Sequence, residues 1–395
     1  MSNVRNWVGF FLLGAINNLP YVIINSASKT IAQSFGVQNF VGLVFGANVS
    51  LAAFVRVLNA FVLLKTPYWT RIFANGILML LGLFGVAYAF NFPFALACIV
   101  VAGSSAAFGE NVTLGYLSLF PSKLVNGWSS GTGMAGLLGA GLYIIFGCSV
   151  GTGGGKAEQL KFLNKMAFLL TTPVVLIYWV SYAKIIQRPK QPRQQAETAP
   201  AEDAEERKAL LDNSINTGQE ILGETYKGRV WRCLKLVLWL AVNLGLVYLF
   251  EYVARACAAK VRPRDEYNIG CPELYSALQF CYQAGVFASR SSLQIVQIRR
   301  VEILTLLQGI NMVVWVMDVH YKFLPVWILP AYMIFVGLMG GASYVNIFYL
   351  LLKDAQFPDE DRELCINITA LFSTIGIATG CGVETALFTT VLSKD

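Results

Sequence analysis

Eleven long stretches with almost no charge constrain the fold of this chain more than any other sequence feature. They cover residues 7–26, 40–64, 72–90, 93–120, 124–150, 163–183, 230–254, 272–295, 301–319, 323–352 and 364–392. A helix needs about 20 mainly apolar residues to cross a bilayer core, and most of the stretches reach that length. Only 13% of the 395 residues are charged, whereas a soluble domain carries about 25%. The sequence therefore predicts an all-α, polytopic membrane protein with about eleven transmembrane helices, and it excludes an ordinary cytosolic enzyme.

One polar segment, residues 187–229, divides the eleven stretches six to five. Its seven basic and eight acidic side chains nearly cancel, and it contains three prolines. Such a composition is typical of a disordered linker and not of a nucleic-acid-binding arm. We therefore expect a six-helix bundle over residues 1–186, a cytosolic linker over 187–229 and a second helical bundle over 230–395.

The positions of the Lys and Arg residues predict which side of the membrane the linker faces. If the N-terminus is cytosolic, the loops on its side hold nineteen basic residues and the opposite loops hold ten. Cytosolic loops carry the excess of basic residues in membrane proteins. The net charge of +7 is then a consequence of topology, and no nucleic-acid partner is expected. Eleven crossings would leave the C-terminus in the lumen, unless a break near Gly380–Gly382 turns the last span back.

Glycine-rich stretches recur at matching places in the two halves. The fourth span contains Gly103–Gly109 and the tenth contains Gly337–Ser343, while the fifth and eleventh spans are rich in Gly, Ser and Thr. Paired glycine-interrupted helices in two halves indicate the central binding site of a secondary transporter. Close helix packing through small residues would produce part of the same pattern.

Motifs of soluble enzymes occur here only in a context that argues against them. Gly131–Gly136 has the spacing of a dinucleotide-binding loop but opens a membrane span without a preceding strand. Gly151–Lys156 lacks the first glycine and the final Ser or Thr of a phosphate-binding loop. His320 is the only histidine, and no nucleophile–base pair can be assembled inside the spans. We predict no enzyme activity, no metal site and no cofactor.

Five ionisable residues fall inside predicted spans, where charge is costly and each one is a functional candidate. They are Arg56, Glu110, Glu251, Arg290 and Glu384. Glu110 and Glu251 are the predicted proton-sensitive pair, with a structural hydrogen bond or ion pair as the alternative for each. Arg56 and Arg290 are expected to extend outwards at the cytosolic ends of their helices, or to balance a phosphate if they face inwards.

Two further features concern a possible disulfide and a sorting signal. Cys257 and Cys271 lie in or near the same non-cytosolic loop, where a disulfide could form in an oxidising lumen. In the linker, Glu206 stands four residues before Leu210 and Leu211. This spacing fits the acidic dileucine signal that sorting adaptors recognise, although chance matches are common.

Four stretches carry a resemblance to a known family. They are Val8–Gly14 with Asn17, Asn18 and Tyr21; Gly109–Glu110 with Trp128–Gly133; the twelve residues Tyr282–Leu293; and Gly340–Asn346. Together they resemble the battenin family, the lysosomal and vacuolar membrane proteins associated with juvenile neuronal ceroid lipofuscinosis. The chain departs from the family pattern after Glu251-Tyr252, where it continues Val253-Ala-Arg255 in place of a polar Asn-Gln-Gly run. It also has Val336 where many relatives carry a glutamate.

The resemblance implies a two-bundle fold related to the major facilitator superfamily, a location in the lysosomal or vacuolar membrane and a link to lumenal pH. It also implies the export of a small polar metabolite such as a glycerophosphodiester. The residues predicted to line the substrate cavity are Asn17, Asn18, Tyr21, Ser129, Ser130, Gln283, Arg290, Tyr344 and Asn346. The expected partners are a small-molecule substrate, the bilayer and sorting adaptors.

Two alternatives remain open at this stage. The same fold could carry basic amino acids or protons. The protein could also be a membrane organiser that transports nothing and recruits trafficking partners through its linker.

Overall fold

The computed structural model describes residues 2–37, 41–61, 63, 66–150, 157–187, 226–258, 261–262 and 274–390. Every regular element in these ranges is a helix. The α-helices are α1 (Ser2–Ser26), α2 (Ser28–Ser34), α3 (Val41–Ser50), α4 (Ala52–Phe61), α5 (Tyr68–Ala87), α6 (Phe92–Leu117), α7 (Val125–Val150), α8 (Ala157–Thr171), α9 (Val174–Val180), α10 (Tyr226–Cys257), α11 (Leu274–Ser291), α12 (Val301–Tyr321), α13 (Leu329–Lys353) and α14 (Arg362–Thr389). The predicted all-α class is confirmed.

Each of the eleven predicted spans coincides with a helix or a pair of helices. Within the described ranges, eight helical runs are long and apolar enough to cross a membrane. They are α1, α5, α6, the run Leu160–Ile185 through α8 and α9, α10, α12, α13 and α14. The second span is divided at Leu51 into α3 and α4, and the count of eleven crossings stays a prediction.

The helix bounds bear on two points of the chain course. Helix α14 continues without interruption through Gly380 and Gly382, so the last span does not turn back there. Helix α10 begins at Tyr226, so the last four residues assigned to the linker belong to a helix. Arg229 in this first turn donates to Asp361 at 2.6 Å, which fixes the turn against the start of α14. The predicted sorting residues Glu206, Leu210 and Leu211 lie outside the described residues.

The two halves repeat one packing scheme. The first and fifth spans pack together as α1 and α7, and the seventh and eleventh pack together as α10 and α14. In the first half the second span (α3–α4) packs on the fourth (α6), and in the second half the eighth span (α11) packs on the tenth (α13). Between the halves, α7 packs on α11 and α4 on α14. Moving six spans along the chain converts each pair into its counterpart in the other half, as expected for a fold built from an internal repeat.

Glycine allows the closest of these contacts. A Cβ on Gly14 in α1 would collide with the carbonyl of Trp128 in α7, and a Cβ on Gly131 would collide with the carbonyl of Phe11. Small residues let helix backbones approach in membrane proteins. The sequence Gly131–Gly136 is therefore a packing surface and not a nucleotide-binding loop.

The hydrophobic core is shared at one end of the bundle and divided at the other. We call the end where α1 begins the near end and the opposite end the far end. One cluster, with Phe10, Phe120 and Phe348, joins both halves toward the near end. A second cluster around Phe168 contains only residues of the first half, and a third around Trp315 contains only residues of the second half.

Polar contacts reinforce the joint at the near end. Glu363 at the start of α14 accepts from Arg71 at 2.9 Å and from the Tyr68 hydroxyl at 2.6 Å, both in α5. The halves are therefore tied together at the near end by a shared apolar core and by a partly buried ion pair between α5 and α14.

Gly14→Ala tests the glycine contact between α1 and α7. The new methyl would meet a backbone carbonyl that no rotamer change can move, so we expect a loss of about 1–3 kcal/mol in the free energy of unfolding. The measurement is an SDS unfolding titration in mixed micelles. Gly46→Ala is the matched control, because a Cβ there meets nothing within 4 Å. Equal stability of the two variants would contradict the packing argument.

Candidate substrate cavity

A polar cavity of about 120 Å³ lies between the two halves. Helices of both halves contribute to its wall. Its polar lining residues are Asn18, Tyr21, Asn48, Arg56, Glu110, Thr132, Tyr248, Tyr252, Arg255, Tyr282, Gln283, Arg290, Ser373 and Thr374. This is the place where the repeat in the packing predicts a transporter's binding site.

An ion pair forms part of the wall contributed by the first half. Arg56 of α4 contacts the carboxylate of Glu110 of α6, and its other terminal nitrogen donates to the side-chain oxygen of Asn111 at 2.7 Å. Arg56 is only 6% exposed. The expectation that Arg56 extends outwards to the membrane surface is therefore wrong.

Tyr344 of α13 links this ion pair to the second half. Its hydroxyl donates to Glu110 at 2.6 Å and accepts from the indole nitrogen of Trp128 at 3.2 Å. One tyrosine hydroxyl thus connects helices α6, α7 and α13. Glu110 is held by one partner from its own half and one from the other half.

Arg290 also faces inwards, which corrects the outward orientation expected from the sequence. Its guanidinium lies over the ring of Tyr344, 4.2 Å from the centroid. It donates to the Thr132 hydroxyl at 2.6 Å and to the Tyr248 hydroxyl at 3.3 Å. Its Nε is buried and has no hydrogen-bond partner among the described residues.

Glu251 lies behind the wall instead of on it. One of its carboxylate oxygens accepts from the hydroxyl of Tyr282, and the other has no hydrogen-bond partner within the described part of the chain. The carboxylate is 2% exposed and sits against Gly340, where a Cβ would collide with it. Tyr282 therefore separates this carboxylate from the cavity.

The predicted cavity residues fall into two groups. Asn18, Tyr21, Gln283 and Arg290 line the cavity, together with the proton-sensitive candidate Glu110. Asn17, Ser129, Ser130, Tyr344, Asn346 and the second proton-sensitive candidate Glu251 are buried and do not line it. A role in substrate binding or proton transfer stays a prediction for every residue of both groups.

Some of the buried residues have a structural role. Asn17 donates to the Ala106 carbonyl at 2.9 Å and accepts from Asn75 at 3.0 Å, inside the first half. Asn346 accepts from the backbone nitrogen of Ile298 at 2.7 Å and so anchors the segment between α11 and α12. Sequence context alone did not distinguish these roles from cavity lining.

Sequence reasoning missed several wall residues that share a helix face. Tyr248, Tyr252 and Arg255 all lie on the cavity wall, and Glu251 sits one layer behind them. Their spacing of i, i+3, i+4 and i+7 places the four on one side of α10. A polar stripe of that period within an apolar span is the signal that would have found them.

The disulfide considered from sequence is not formed by Cys257. Cys257 is a free thiol, buried in the core cluster that contains only residues of the second half. Cys271 lies outside the described residues. Cys148, near the far end of α7, is disulfide-bonded.

The fold and the cavity define a class: a helical membrane protein of the major facilitator fold, with two bundles around a central polar cavity. The proton:xylose symporter XylE superposes with a TM-score of 0.70 at 13% identity, over 99% of this chain and 90% of that one. The E. coli fucose:proton symporter FucP superposes with a TM-score of 0.61 at 15% identity, over 99% of this chain and 91% of that one.

The family follows from sequence similarity. Residues 8–393 match the CLN3 protein family. Battenin of Dictyostelium discoideum is 37% identical over 95% of this chain and 92% of its own length. Battenin of the dog is 28% identical over 95% of this chain and 88% of its own length. Protein BTN1 of Saccharomyces cerevisiae is 29% identical over 98% of this chain and 96% of its own length. The chain belongs to the CLN3, or battenin, family, as the sequence resemblance predicted.

Replacing Arg56 with Met tests the ion pair with Glu110. Removing one partner leaves the other charge buried without compensation, so we expect a loss of about 3 kcal/mol in the free energy of unfolding. The combined replacement of Arg56 by Met and Glu110 by Leu should recover more than half of that loss. The measurement is a double-mutant cycle of unfolding titrations.

Asp359→Asn is the control for that cycle. The Asp359 carboxylate pairs with Arg362 but is 86% exposed, so its removal should leave stability unchanged. A double variant no more stable than Arg56→Met would contradict the account of Glu110 as a charge held by Arg56.

Proposed function

We propose that the protein is a secondary transporter that carries a small anionic metabolite of the glycerophosphodiester type across the membrane of a lysosome or vacuole toward the cytosol. One observation supports an anionic substrate over a cationic one. The ionisable side chains on the described wall, apart from the tyrosines, are Arg56, Arg255, Arg290 and Glu110, three cations against one carboxylate.

The excess of positive charge is not neutralised at short range. Glu110 is engaged by Arg56, whereas no carboxylate of the described chain lies within 4.0 Å of Arg255 or Arg290. Charges in a low-dielectric cavity act more strongly than in water. An anion gains from this wall, and a basic amino acid would be repelled by it.

The other wall groups suit the uncharged part of such a substrate. Asn18, Asn48, Gln283, Ser373 and Thr374 offer amides and hydroxyls along the cavity. These groups can both donate and accept hydrogen bonds, as the hydroxyls of a glycerol require. Arg290 offers a planar guanidinium fork that matches the oxygens of a phosphate.

Glu251 is the better candidate for a proton carrier within this proposal. Glu110 is already compensated by Arg56 and Tyr344, whereas one oxygen of Glu251 has no described partner. Ionisable groups inside membrane proteins frequently form proton relays. Proton transfer at Glu251 would couple the movement of the substrate to the pH of the lumen and so affect organelle pH.

The direction of transport rests on topology. The near end carries the start of α1, and the loops predicted on that side hold the larger number of Lys and Arg residues. The near end then faces the cytosol and the far end faces the lumen. The linker would lie in the cytosol, where adaptors could reach Glu206, Leu210 and Leu211.

Transport in proteoliposomes tests the anion preference. We expect the purified protein to take up labelled glycerophosphoglycerol and to leave labelled lysine outside. Arg290→Gln should reduce the uptake at least tenfold, because a charge-assisted contact with the phosphate is lost.

Lys235→Gln is the matched control for Arg290→Gln. Lys235 also stacks on an aromatic ring, that of Trp231 at 5.3 Å, but it is exposed on the outside of the bundle. The Lys235→Gln variant should take up the phosphodiester at the wild-type rate. Uptake of lysine in preference to the phosphodiester would refute the proposal.

The pH dependence of uptake tests the role of Glu251. Glu251→Gln keeps the size of the side chain but cannot change its protonation state. Uptake should therefore lose its dependence on the pH of the solution at the far end of the protein. Glu302→Gln, at an exposed carboxylate in the first turn of α12, should keep the wild-type profile. An unchanged profile in Glu251→Gln would remove Glu251 from the coupling mechanism.

A further inference from the structure

Arg255 stands between two cavities. It lies near the end of α10, toward the far end of the bundle, and lines both the central cavity and a smaller one of about 40 Å³. Gln279 and Gln283 of α11 belong to the wall of the smaller cavity, and Gln283 is also on the wall of the central one. Arg255 is therefore the cation that connects the two spaces.

The Arg255 guanidinium is held on one edge and free on the other. Its Nε donates to the side-chain oxygen of Gln279 at 2.7 Å. The rings of Tyr252 and Tyr282 flank it, with centroids 5.5 Å and 5.1 Å from its central carbon. Its two terminal nitrogens have no hydrogen-bond partner in the described ranges, although both adjoin open space.

No carboxylate among the residues that the structure describes lies close enough to Arg255 to form an ion pair with it. Neither Glu251 nor Glu384 comes within the 4.0 Å of Arg255 that defines an ion pair. By contrast, Arg56, Arg71 and Arg262 each have a carboxylate partner. Arg255 thus differs from these buried arginines of the same protein.

The smaller cavity provides further hydrogen-bonding groups from both halves. Asn25 and Ser26 come from α1, and Tyr275 and Ser276 come from α11. A guanidinium with a fixed plane and free terminal nitrogens binds an oxyanion in a bidentate manner. Neighbouring hydroxyls and amides can complete the coordination of such an anion.

We propose that Arg255 forms a second, outer anion-binding subsite, separate from Arg290, which holds the phosphate of an incoming phosphodiester at the far end. This inference rests on the proposed function for the identity of the phosphodiester. The subsite itself recognises the oxyanion, so inorganic phosphate binds there as well. The substrate then passes along Gln283, which lines both cavities, to Arg290.

Binding and transport by three variants of the full chain test the subsite. In nanodiscs, calorimetric titration with inorganic phosphate should show affinity at least tenfold weaker for Arg255→Gln than for wild type. Arg255→Lys should recover part of the affinity, because lysine keeps the positive charge but lacks the planar fork that binds two oxygens at once. Lys165→Gln is the control and should bind as wild type does. Lys165 also stacks on a tyrosine, Tyr88 at 4.4 Å, but lies outside both cavities.

Kinetics separate an outer subsite from a structural role. With glycerophosphoglycerol offered at the far end of the protein in proteoliposomes, Arg255→Gln should raise KM at least tenfold and change kcat less than twofold. A fall in kcat with unchanged KM, or unchanged phosphate affinity, would overturn the proposal. Equal unfolding temperatures of Arg255→Lys and wild type establish that any loss in this variant is not caused by misfolding.

The same experiments distinguish this inference from the proposed function. If phosphate binding depends on Arg255 but the wild type transports no phosphodiester, the subsite stands and the proposed function fails. If the wild type transports the phosphodiester and Arg255→Gln retains its KM and its phosphate affinity, the function stands and the subsite fails.

Discussion

The compensation of Glu110 by Arg56 and Tyr344 is the interaction on which the central site depends. A carboxylate inside a membrane protein is stable only with a partner, and here one partner comes from each half. Because Arg56 is used for this purpose, Arg255 and Arg290 remain as cations without a close carboxylate among the described residues. The described wall therefore carries more positive than negative charge, and the proposal of an anionic substrate rests on that excess.

The apolar contacts between the two halves are distributed unevenly along the bundle. Both halves share one core toward the near end, and Arg71 and Tyr68 bind Glu363 there. Toward the far end, each half has its own core. The hydroxyls of Tyr21 and Tyr252, 3.0 Å apart, join the halves beside the two cavities. If the bundles rock against each other, as the proposed transport would require, the near-end contacts would have to break before the cavity could open on that side.

Much of this architecture could be predicted from the sequence. Length and hydropathy located the long helices but not the short α2 (Ser28–Ser34), which lies between the first two predicted spans. The paired glycine stretches in the two halves correspond to helices that pack at matching positions. The sequence could not show which way a polar side chain points within an apolar helix. Asn17 and Asn18 are adjacent, yet one bonds inside the first half and the other lines the cavity. Arg56 and Arg290 were expected to extend outwards at the cytosolic ends of their helices. They face inwards because partners on other helices hold them, namely Glu110 for Arg56 and Tyr344 and Thr132 for Arg290. Arg255 was missed although it belongs to a polar stripe of helical period on α10.

The central claim is that the cavity binds an anion through its uncompensated arginines. A cryo-electron microscopy structure of the protein with glycerophosphoglycerol tests it most directly. The account predicts the phosphate in the central cavity, with an oxygen about 3 Å from a nitrogen of the Arg290 guanidinium. A phosphate bound away from both Arg290 and Arg255 would contradict it, and so would an empty cavity under conditions in which the same preparation transports the compound.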